Sequence, residues 1–203
     1  MNNFRFKTIR KETLRCLYRD DRDKKYKNHR YITGVYYLLP FLLAFILVLF
    51  EFFLTNDSIN YFITGISIFA GLFFNLLIVV SDKMIKRKEL LNSVYQASQD
   101  YANRYKLMSE RLIAAISYAI LLSVLIIGLM FMSQVDYKIF GVFMKPETVL
   151  TINLVSDYFF NFVSYYFGFQ FVCILLLILS KIYEILIHEM NTKPYQESSE
   201  GEN

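Results

Sequence analysis

The chain has no tryptophan, two cysteines, two histidines and seven glycines. Each scarcity excludes something. Cys16 lies in a basic head and Cys173 in an apolar run, so no disulfide framework and no C-x-x-C metal spacing is available. His29 and His188 have no His, Cys or paired carboxylate at ligand spacing. Seven glycines leave few loops able to wrap a nucleotide, and no G-x-S-x-G, H-E-x-x-H or phosphate-cradling loop occurs. The expectation is therefore no enzyme, no metal and no cofactor.

Charge is also scarce where it would matter most. Acidic and basic residues make up 20% of the chain and hydrophobic residues 55%, against roughly 25% and 45–50% in soluble domains. The charges are clustered, which leaves four long apolar runs: 31–53, 61–80, 112–132 and 158–179. Crossing a ~30 Å hydrocarbon core takes about 20 such residues in a helix. Helices are expected because a lone span must satisfy its own backbone in lipid. The sequence thus predicts an all-α integral membrane protein with four transmembrane helices. Thirty polar residues precede the first run and no small-residue cleavage site follows it, so it reads as a retained anchor rather than a signal peptide.

The charge bias sets the expected orientation. Residues 1–30 carry eleven Lys/Arg and the 81–111 segment seven, while 54–60 has none and 133–157 only Lys138 and Lys145. Positive flanks stay in the cytoplasm. This places the head, the 82–111 segment and the acidic tail (188–203) inside, and the 133–157 loop outside. Lys83, Lys86, Arg87 and Lys88 mark the exit of the second span and are expected to meet anionic lipid heads, at about 1 kcal/mol each. The basic head is read as a topology signal, with no direct binding of nucleic acid. The outer loop, rich in β-branched and aromatic residues, suggests a short hairpin or an interfacial flap.

The 82–111 segment lacks Pro and Gly, and its apolar residues recur at helical spacing: Leu91, Tyr101, Tyr105, Met108. Helical extensions into the cytoplasm are expected here and beyond Leu179. A stripe projecting into water needs a cover. Three covers remain open: the chain's own head and C-terminal extension, a second copy in a homo-oligomer, or a soluble partner protein.

No ionisable side chain lies deep in any run; Glu51 and Asp157 stand near outer ends. Since buried charge marks pumps and transporters, this points away from transport. The polar groups at depth, Asn75, Asn161 and Gln170, read first as interhelical glue. Ser67 with Gly71, and Ala115 with Ala119, form small-xxx-small faces suited to close helix contact. Pro40 is expected to kink the first span.

In layout, and in segments such as "SERLIAAISYAILLSVL", the chain resembles small four-span membrane proteins of bacterial anti-phage defence. These are the membrane component of Kiwa-type systems and the accessory protein found beside RNA-targeting CRISPR nucleases. The resemblance implies an oligomeric inner-membrane protein that senses or perturbs the membrane together with a cytoplasmic partner. It carries over no functional residue. A passive anchor for a soluble partner, or a non-catalytic transporter subunit, is the alternative.

Overall fold

The computed structural model describes residues 6–19, 27–87, 96–134 and 146–191. Five helices follow one another: α1 (Phe6–Tyr18), α2 (His29–Leu49), α3 (Asn56–Arg87), α4 (Gln96–Ser133) and α5 (Pro146–Asn191). No strand occurs among the described residues. The protein is an all-α, multi-pass membrane protein, because α2 to α5 are each long and apolar enough to cross a bilayer. At 1.5 Å per residue, the 38 residues of α4 and 46 of α5 overshoot a bilayer core well beyond what crossing needs.

The spans pack in the order α3–α4–α5–α2, with α1 laid against α4 and α2. The inner pair carries the core. Ala115, Ile116, Ala119, Ser123 and Ile126 of α4 are wholly covered, as is Ile174 of α5. The outer pair is held along narrow seams. On α3 the buried residues are Ile59, Ile66, Phe73 and Val80, one every seven positions, the spacing that keeps a helix seam facing its neighbour.

Two expectations need correction. The first span ends at Leu49, not Phe53. Phe52 N donates to Leu47 O at 3.0 Å and Glu51 N to Val48 O at 3.1 Å, the pair of bonds that closes a helix when the residue after its cap turns left-handed. Glu51 is that residue, at φ 56°. Secondly, residues 146–157 form no hairpin: α5 begins at Pro146, whose fixed φ and missing N–H suit a first helical position. No further Pro and a single Gly (Gly168) follow before Asn191 to interrupt it. Pro40 lies inside α2, with its ring fully buried.

The turn between α2 and α3 is pinned by one face of α5. Leu54 N donates to Asn161 Oδ1 at 2.8 Å, and Tyr165 Oη donates to Phe52 O at 2.9 Å. The Tyr158 ring meets Phe53 edge-on at 4.9 Å. Thr55 then starts α3 by accepting Ser58 N at 3.3 Å, an N-cap.

Candidate functional site

The head is bound into the membrane bundle. Within α1 the sequence puts Ile9, Thr13, Cys16 and Leu17 on one helical face, and that face meets α4. Thr13 Oγ1 donates to Ala114 O at 3.1 Å as well as to its own Ile9 O at 2.9 Å. Cys16 Sγ donates to Arg111 O at 3.1 Å. Thr13 and Cys16 are both buried. A helix carbonyl accepts one bond from its own helix and keeps a second lone pair; here a donor from α1 takes it at Ala114 O, at the start of the third apolar run.

Arg10 lies at the edge of this contact. Its Nη2 donates to Tyr37 Oη of α2 at 3.4 Å, and its guanidinium carbon stands 6.0 Å from the Tyr37 ring centre. The hydrogen bond with Tyr37 is the main cause that raises the Arg10 pKa; Tyr118 of α4 and Tyr166 of α5 lie close enough to add to it. One cation from the head thus touches or faces three spans at once. Burial pushes the Cys16 thiol up to about 12, against the opposing pull of Lys181 and Arg111. At neutral pH it is therefore a neutral, unreactive thiol. The arrangement ties α1 to α4 and to α2.

At the opposite end a cavity of about 510 Å³ opens between the α2–α3 turn, the end of α4 and the start of the α5 span. Glu51, Asp157, Asn161 and Ser133 line it beside Phe53, Leu54 and Ile59. Asn161 is already committed, since its Nδ2 donates to Asp157 O at 2.8 Å while its Oδ1 holds Leu54 N. No group of three or more His, Cys, Asp or Glu placed to hold a metal occurs among the described residues.

The residues singled out in the sequence fall in different places. Tyr105 and Met108 are buried within the chain, in the cluster that also holds Cys16, Val80 and Ile185. Tyr101 is half-buried and stacks on Tyr105 at 6.4 Å. Leu91 and Lys88 lie outside the described residues, as does the side chain of Arg87, while Lys83 and Lys86 are exposed. Ala115 and Ala119 are at 0% exposure. Ser67, Gly71 and Asn75 are exposed. Asn161 and Gln170 are buried. The sequence reading missed Arg10, Thr13 and Cys16, because the eleven cations of the head drew attention away from its Ile9–Thr13–Cys16/Leu17 spacing.

Comparison with family models, with curated proteins and with solved structures finds no match.

Proposed function

We propose that this is a non-enzymatic, oligomeric protein of a bacterial inner membrane, with both termini cytoplasmic. Its head couples a cytoplasmic partner to the packing of the spans, and so senses or perturbs the bilayer. The observation that supports this reading is the α1 dock. A partner pulling on the head acts directly on Ala114 and Arg111 of α4 through Thr13 and Cys16, and on Tyr37 of α2 through Arg10. For such a pull to shift the packing, the partner must bind one arrangement better than the other. A role in phage defence rests on the resemblance in layout alone.

The test uses the full-length protein in liposomes and planar bilayers. The double substitution Arg10→Gln, Thr13→Val weakens two of the three polar ties of α1 and leaves only that of Cys16 to Arg111 O intact. Release of the head is read independently by alkylation of Cys16. Under this reading, conductance or dye leakage changes when the head is released. Identical permeability with the head docked and released, with partner binding retained, leaves the passive anchor as the function.

A further inference from the structure

The face of α3 that points away from the bundle carries a polar, small-residue stripe among exposed apolar residues such as Phe74 and Ile78. At 100° per residue, Asn60, Thr64, Ser67, Gly71 and Asn75 share one side of the helix. That side lies roughly 150° from the Ile59–Ile66–Phe73–Val80 seam. All five are exposed. Thr64 Oγ1 is satisfied by its own Asn60 O at 2.8 Å. Asn75 differs. It lies within the second apolar run, about five residues or ~8 Å from its charged end, and makes no hydrogen bond among the described residues. A bare carboxamide at hydrocarbon depth requires a polar partner. Lipid tails offer none, and no side chain among the described residues is hydrogen-bonded to it.

We propose that a second copy of this chain covers this face, α3 against α3, with Asn75 hydrogen-bonded to Asn75 of the second copy. One observation selects a second copy over another protein. A carboxamide carries both donors and an acceptor, so it is complementary to itself across a two-fold axis. In a membrane two copies of one chain share orientation, which brings like residues of parallel α3 helices to the same depth. There is also room for a close approach, as at every described glycine. A Cβ built on Gly71 meets nothing within 4 Å, so the chain itself does not use the close approach that Ser67 and Gly71 permit. The seam also replaces the one suggested by the sequence, since Tyr105 and Met108 are covered within the chain. This deepens the oligomeric part of the proposed function. Its test reads association, not permeability, so either idea can fail alone.

The experiment is oxidative cross-linking of full-length protein in native membranes, with single cysteines added at Ser67→Cys, Gly71→Cys and Leu72→Cys. The natural Cys16 and Cys173 remain, and the parent protein is the control. Leu72 is as deep as Gly71 and 56% exposed, but points about 100° away. Ser67→Cys and Gly71→Cys are expected to yield a species of twice the chain mass, and Leu72→Cys and the parent none. In the Gly71→Cys background, Asn75→Leu is expected to weaken association about three- to tenfold, and Asn75→Gln to restore most of it. Equal cross-linking at Leu72, a cross-linked species containing a different protein, or no effect of Asn75→Leu each overturns the proposal. Asn75 and Gly71 are both exposed, so these variants leave the fold of the single chain intact, which a melting curve checks.

Discussion

Helices α3 and α4 carry the same small-residue pattern and use it on opposite sides. Ala115, Ala119 and Ser123 recur every four residues on α4 and are all at 0% exposure. Ser67, Gly71 and Asn75 recur every four residues on α3 and are all exposed. The two spans are similarly apolar, with mean hydropathy 2.7 for α4 and 2.3 for α3, yet 44% of one and 11% of the other is buried. Apolar content therefore does not decide burial in lipid, where the hydrophobic effect is spent on entering the bilayer. Close packing and polar contact decide which faces meet.

The largest effect expected from this contrast comes from filling the two small-residue faces. Ala119→Leu forces a larger side chain into a closed contact and should cost about 1–3 kcal/mol or more. Gly71→Leu, whose Cβ meets nothing, should leave the stability of the single chain within about 0.5 kcal/mol. Unfolding of the purified protein in mixed detergent measures both. Equal losses would mean that α3 is packed on a face the structure leaves open.

Next in size is the turn that joins α2 to α3. Asn161→Ala removes the acceptor of Leu54 N and should cost about 1–3 kcal/mol, read by the same unfolding titration. Glu51→Gly acts in the opposite sense. Glu51 sits at φ 56°, where a side chain costs about 1–2 kcal/mol and glycine nothing. The variant should therefore gain about 1 kcal/mol, since the hydrogen bond it gives up, from Tyr158 Oη to the Glu51 carboxylate, is long at 3.5 Å and exposed.

The smallest and most local effect concerns the head. Cys16 has its pKa raised to about 12 from an ordinary 9.0, chiefly by burial. Folding thus favours the neutral thiol. That contribution is complete below pH 9, and it fades as pH climbs towards 12, where the thiolate of the undocked head is preferred. Alkylation of Cys16 should stay slow at about pH 8, and should accelerate on rising pH more steeply than for a free thiol once the head lets go. Fast labelling at that pH in the native membrane would contradict the dock.

The four spans were legible because runs of about twenty uncharged residues have few other fates. Their ends were less so. Phe50–Phe53 read as part of the oil, and only the bonds from Asn161 and Tyr165 show why the chain turns there. The head read as charge alone, since eleven cations outweighed a single buried face. Asn75 was visible as a polar residue in a span, and glue was the natural reading. Its direction was hidden, because in lipid a polar stripe can face a neighbouring span or a second molecule, so its periodicity does not tell inside from outside.

The amino-acid order determined that this chain enters a bilayer and how many helices can cross it, because these follow from the cost of moving single residues into hydrocarbon. Only the tertiary structure decided which small-residue face closed within the chain and which stayed open, and that the basic head grips α4. Those outcomes depend on shape and hydrogen-bond reach between helices far apart in sequence, as between Thr13 and Ala114, and no local pattern encodes that reach.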